Sequence, residues 1–276
     1  MKGCNKMETL IDGISGSVPQ SENEYVGKDG LLHCLICHEK VQTEVEFKGI
    51  KKRVRCICSC RKKEIEASNE RDRLDHIERQ RNICFSEREM KKWCFSNDDR
   101  RNAEISDAMM KYVANFEDFK KQGTGLLLYG DVGTGKTFYG ACIANELIDR
   151  GYTVLMTNFA KLTNTLQGMM EGKQNYIDSL NKYNLLIIDD LGIERKTEFV
   201  QELVYNITDS RYRTGLPFII TTNLSLMEIS NPSDIAYARI YDRILERCFP
   251  VKVAGMSRRK DGFNKNYSSI KEQLGL

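Results

Sequence analysis

The sequence predicts an α/β chain in which a parallel sheet is flanked by helices, with a small cysteine-rich module ahead of it. Three observations carry this. Apolar runs at 126–129, 153–156, 185–188, 218–220 and 251–253 alternate with segments of helical periodicity, the rhythm of buried strands covered by helices. A glycine-rich stretch, GDVGTGKT at 130–137, follows the first run without a gap. Five of the ten cysteines lie in two short clusters, HCLICH at 33–38 and CICSC at 56–60.

A length of 276 residues suits one large domain plus a small module. The expected division is a module at 1–65, a charged helical connector and linker at 66–101, and a nucleotide domain at 102–276. Net formal charge is only +3, so a nucleic-acid surface must come from a local patch. The first twenty residues lack a continuous apolar core, and no apolar run approaches the ~20 residues of a membrane span. The expectation is a cytoplasmic chain with reduced thiols, which turns clustered cysteines toward metal.

Taken in chain order, the first element is that cluster. A C-x-x-C knuckle followed about twenty residues later by C-x-C-x-C has the logic of a tetrahedral zinc site. Between the knuckles Val41, Val45, Phe47, Gly49 and Val54 read as a short hairpin, too small to fold without Zn²⁺. Cys34, Cys37, Cys58 and Cys60 are the chosen ligands, with Cys56 and His38 in reserve. Nine Lys and Arg against four acidic residues at 31–64 fit a nucleic-acid contact, a protein partner or simply a solvated face. Residues 61–81 then read as an exposed charged helix, 86–101 as a less regular linker, and 105–119 as helical again.

The loop G-x-x-x-x-G-K-T, flanked by a strand and a helix, is a phosphate loop. Its backbone, from Gly130 through Asp131, Val132, Gly133, Thr134, Gly135, Lys136 and Thr137 to Phe138, is expected to wrap the phosphates of ATP, with Lys136 on the β and γ oxygens and the Thr137 hydroxyl on Mg²⁺. In the following helix Phe138, Ala141, Cys142, Asn145 and Ile148 recur at helical spacing, and Gly151 suits a stop.

The run LLIIDD at 185–190 reads as a buried strand ending in two carboxylates. Asp189 is expected to hold Mg²⁺ with Thr137, and Asp190 to orient or deprotonate the attacking water. The run FIITTN at 218–223 ends in Asn223, placed to sense a γ-phosphate or position water. In IAYARIYDRILER at 235–247, Ile240, Tyr241, Ile244 and Leu245 form an apolar stripe while Arg239, Arg243 and Arg247 recur at four-residue steps. That arginine face either pairs with Asp242 and Glu246 or reaches the ATP of a neighbouring subunit.

GLLLYGDVGTGKT, NLLIIDDLG, FIITTN, ARIYDRILER and AGMSRR, in this order and spacing, resemble the AAA+ ATPases of the DnaC/DnaI helicase-loader and IstB group over about 112–260. The resemblance implies an AAA+ phosphate-loop core that hydrolyses ATP, assembles as a homo-oligomer and delivers a hexameric replicative helicase to single-stranded DNA. It implies that the N-terminal zinc module docks on the helicase and that 163–174 faces DNA. By position it makes Arg243 the finger acting in trans and Arg258 a second nucleotide sensor. Asp190 stands where most AAA+ proteins carry glutamate. An IstB-like transposition helper and, further off, a small-molecule phosphate-loop kinase are the alternative readings, with a non-hydrolysing ATP switch as a variant of the loader.

Overall fold

The computed structural model describes residues 22–192 and 197–259, with single positions 267, 270, 271, 273 and 274 near the C-terminus. The chain divides into two compact units at Leu74/Asp75.

The first unit holds two small antiparallel pairs. Strands β1 (Glu24–Val26) and β2 (Leu32–Cys34) form one, and β3 (Gln42–Phe47) and β4 (Ile50–Arg55) the other. The second pair is the hairpin the sequence suggests. Its turn is Lys48-Gly49, with φ of 50° and 78°, the two left-handed residues that match the twist of a tight hairpin. Among the described residues, its buried apolar cluster is Leu32, Cys34, Val41 and Cys58, with Cys37 and Cys60 packed against it. So small a core offers little hydrophobic stabilisation. Helix α1 (Ser59–Cys84) follows, charged along most of its length and burying Ile77 and Cys84.

The second unit is built on five parallel strands. They are β5 (Gly125–Tyr129), β6 (Val154–Asn158), β7 (Leu185–Leu191), β8 (Phe218–Thr222) and β9 (Cys248–Lys252), ordered β6-β7-β8-β5-β9. All five expected strands are present, in a sheet of the AAA+ type. Alternate side chains serve opposite faces. Leu126, Leu128, Leu185, Ile187 and Ile219 pack beneath α2 (Ala103–Ala114) and α4 (Lys136–Asp149), whereas Leu127, Leu186, Ile188 and Ile220 pack beneath α5 (Phe159–Gln167), α7 (Glu198–Thr214) and α9 (Ile235–Arg247). Both faces are covered, which is why these strands read as unbroken apolar runs.

The helical stretch expected at 105–119 is two helices, α2 and α3 (Phe116–Gln122), separated at Asn115 (φ −105°, ψ 21°). Residues 75–101 lie in the same compact unit as the phosphate loop, because Ile77, Cys84 and Phe85 are buried in the core beneath α4 and Trp93 packs against it. No helix among the described residues is long and apolar enough to cross a membrane.

Arg211 of α7 is 1% exposed and has no carboxylate partner among its hydrogen bonds. Its guanidinium instead donates to the carbonyls of Tyr183 (2.9 Å), Asn184 (3.2 Å) and Pro217 (2.8 Å), joining the segments that enter β7 and β8. Burial pushes its pKa down to about 10, which leaves it charged at neutral pH. Arg211→Met should orphan these acceptors and lower the stability of this unit by about 3 kcal/mol. Urea unfolding followed by the fluorescence of Trp93, the one tryptophan, reads this out; an unchanged midpoint would mean the carbonyls find other donors.

Candidate functional site

Strand β5 ends at Tyr129 and α4 starts at Lys136, so the loop between them sits at the carboxyl end of the sheet, where open α/β folds bind ligands. Gly133 and Gly135 hold φ of 82° and 105°. A Cβ on Gly133 would lie 2.2 Å from Ser257 Oγ, and one on Gly135 2.5 Å from Arg258 Nη1. Glycine is needed both for the backbone turn and because the 257–258 segment rests on the loop.

Lys136 is 5% exposed, and its ammonium donates to the carbonyls of Gly130 (2.8 Å) and Asp131 (2.7 Å). Burial lowers its pKa, with Asp190, Asp189 and Asp131 opposing. Thr137 Oγ1 donates to both oxygens of Asp189 at 3.1 Å, and the Thr221 hydroxyl donates to the same carboxylate. Burial raises the pKa of Asp189 despite these donors, and the charge of Asp190 adds to the rise. A carboxylate so placed favours a nearby cation. Thr137 and Asp189, read from motifs 52 positions apart, are thus in direct contact.

Asp190 takes φ 58°, rare for a residue with a side chain. It falls where β7 slips register against β8, between Ile188 and Leu191, and its N–H donates to Thr221 Oγ1 at 2.9 Å. The irregularity turns Asp190 out of the strand's alternation and into a cavity of about 490 Å³ that Lys136, Thr137, Asn223, Arg258 and Arg259 also line. Strain of this kind collects at functional sites.

The remaining wall is one that sequence reasoning missed. Trp93, Asn97, Asp98 and Asp99, from the stretch read as a linker, line the same cavity beside Phe138. The rings of Trp93 and Phe138 stand 5.8 Å apart. Asn145 anchors this wall: its amide donates to the carbonyls of Met90 (2.8 Å) and Trp93 (2.9 Å), while its oxygen accepts from Arg81 Nε (3.1 Å). A lone tryptophan amid charged residues was the available signal.

Arg243 lies elsewhere, at 22% side-chain exposure. It pairs with Asp209 of α7 at 2.7 Å, donates to Tyr205 Oη at 2.9 Å, and its guanidinium lies 4.6 Å from the Tyr205 ring centre. Its partner is therefore Asp209 and neither Asp242 nor Glu246; the latter accepts from Tyr212 at 2.9 Å. The expected apolar stripe holds, with Ile240, Tyr241 and Ile244 buried.

In the first unit the sulfurs of Cys34, Cys37, Cys58 and Cys60 all lie within 4.8 Å of one another. Bonds of about 2.3 Å to one tetrahedral zinc place sulfurs roughly 3.8 Å apart, so the set fits that ion. The Cys37 thiol is lowered to about 6 by the backbone N–H of Glu39, while Cys60 is pushed up by hydrogen bonding with the Cys58 and Cys34 sulfurs. Four thiols crowded this closely are what a divalent cation holds together. Cys56 donates to the carbonyl of Lys40 (3.3 Å), and His38 Nδ1 is 3.2 Å from Tyr25 Oη; both stand outside the cluster.

The family described as IstB-like ATP binding protein matches residues 64–266. The chain is 32% identical over 58% of its length to the replicative helicase loader DnaI of Bacillus subtilis, and 25% identical over 50% to the replicative helicase loader DnaC of Escherichia coli; each alignment spans 57% of the relative. A crystal structure of DnaI superposes with a TM-score of 0.54 and 28% identity, covering 65% of this chain and 99% of that one. With 203 of its 276 residues inside the matched region, the chain belongs to the IstB-like ATP-binding family.

Proposed function

We propose that this chain is an ATP-dependent loader of a hexameric replicative helicase onto single-stranded DNA. One observation carries the reading: four converging cysteine sulfurs precede a phosphate-loop core in a chain that aligns with two proteins named replicative helicase loaders. The cluster holds Zn²⁺ and stiffens a helicase-docking module. If so, the tagged full-length chain mixed with its host's hexameric helicase should co-elute in gel filtration. Separate elution at micromolar concentrations of both would oppose the reading.

The nucleotide site does the timing. Lys136 exchanges two loop carbonyls for phosphate oxygens, which accept more strongly. Thr137 and Asp189 hold Mg²⁺, which neutralises phosphate charge when bound. Asp190 and Asn223 face the same cavity and orient the attacking water. Trp93 and Phe138 supply an apolar wall for the base.

Arg243 acts on the ATP of a neighbouring subunit in a homo-oligomer. To do so it leaves Asp209, which keeps a second cation in Arg213 Nε at 2.8 Å. Arg243→Ala should bind ATP nearly normally yet lose roughly 10³-fold in turnover. Mixing it with Lys136→Ala subunits should restore part of the rate. Normal turnover by Arg243→Ala, or no rescue in mixed assemblies, would leave Arg243 as a structural partner of Asp209.

The IstB-like transposition helper is the second reading, favoured by the matched family itself. The cysteine cluster lies outside the matched residues, and a helicase-independent stimulation of a transposase would support this alternative.

A further inference from the structure

We propose that Asp98 and Asp99 form an anionic clasp on Arg258 that competes with the terminal phosphate of a nucleoside triphosphate, making Asp99 a brake on triphosphate-over-diphosphate preference. The inference rests on the nucleotide reading above and assigns its selectivity to particular residues.

Arg258 is bound to the phosphate loop in two ways. Its backbone N–H donates to the carbonyl of Gly133 at 2.9 Å, and its guanidinium covers Gly135 so closely that a Cβ there would meet Nη1 at 2.5 Å. The cation is thus poised over the loop that would hold phosphates. Its charge, however, is committed elsewhere: Nη2 lies 2.7 Å from Asp99 Oδ1 and 3.4 Å from Asp98 Oδ1.

The two carboxylates are not equivalent. Asp98 is 1% exposed at its side chain and also accepts from the Ser106 and Tyr139 hydroxyls, so it is fixed in place. Asp99 is 41% exposed and has a second cation, Arg101 Nε at 3.1 Å, to receive it when Arg258 leaves. One half of the clasp is anchored and the other can open.

Charge accounting explains why it should open for a triphosphate. The cavity is lined by three cations, Lys136, Arg258 and Arg259, and three acids, Asp98, Asp99 and Asp190, a set that balances itself. An incoming polyphosphate must draw cations from the acids. Lys136 already serves the phosphates nearest the loop, so the terminal phosphate is the group that needs Arg258. A ligand shifts such an equilibrium only through its differential interaction with the two arrangements, and a diphosphate lacks the group that supplies it.

The test is a double-mutant cycle on the full chain, titrated with ATPγS and ADP in the presence of Mg²⁺. Asp99→Asn keeps the shape and removes the competing charge. It should tighten ATPγS binding roughly two- to fivefold, the worth of a part-exposed ion pair, with ADP affinity changed by less than about twofold. In an Arg258→Ala background the same substitution should leave the ATPγS-to-ADP ratio unmoved. Equal tightening for both nucleotides, or a changed ratio that persists without Arg258, would overturn the clasp, since either would mean bulk charge alone. A wild-type chain that bound neither nucleotide would overturn the nucleotide reading beneath it.

Discussion

Lys136→Ala should weaken ATP binding by about 100-fold or more while leaving the metal content of the chain unchanged. The ammonium is a charged donor buried in the cavity, and charge-assisted bonds of this kind are worth about 1.5–3 kcal/mol each; with two such bonds to phosphate replacing its two loop carbonyls, the loss exceeds a factor of ten twice over. The four thiols belong to the other compact unit and share no hydrogen-bond partner with Lys136 among the described residues. Nucleotide titration followed by Trp93 fluorescence and metal analysis on one preparation check both halves. Loss of zinc along with ATP would show that the units do not fold independently.

Replacing Cys34 and Cys37 together by serine is the second large perturbation. Bound zinc should fall from one per chain to none, and binding to the helicase should fall with it while ATP binding persists. The physical reason is the size of the apolar cluster: Leu32, Cys34, Val41 and Cys58 cannot hold two hairpins in place, whereas a structural zinc contributes on the order of 10 kcal/mol to folding such modules. Metal retained at one equivalent would move the site to Cys56 or His38. Helicase binding retained without metal would move the docking surface out of this unit.

What could be read from the sequence was what local chemistry encodes. The phosphate loop, the paired carboxylates and the cysteine spacing each need fixed residue types at fixed intervals, and the four chosen sulfurs do converge. Strand positions followed from apolar runs. The last began three residues earlier than expected, at Cys248, because Pro250 interrupts the apolar run; β9 is an edge strand, where proline costs no shared ladder bond on its free side. The rest depended on long-range contact. Nothing local tells that Asn145 holds Met90 and Trp93 from 55 and 52 positions away, that Asp209 receives Arg243, or that Asp99 faces Arg258 across 159 residues. The left-handed Asp190 was equally hidden, since its conformation comes from the register slip between β7 and β8.

Helicase transfer onto closed DNA circles separates a loader from a bystander. Purified full-length chain, ATP, the host's hexameric replicative helicase and circular single-stranded DNA are combined, and helicase retained on the circles is counted. The loader account predicts retention that requires both the chain and ATP and is lost with Lys136→Ala. Helicase retention that is the same with and without the chain would contradict it.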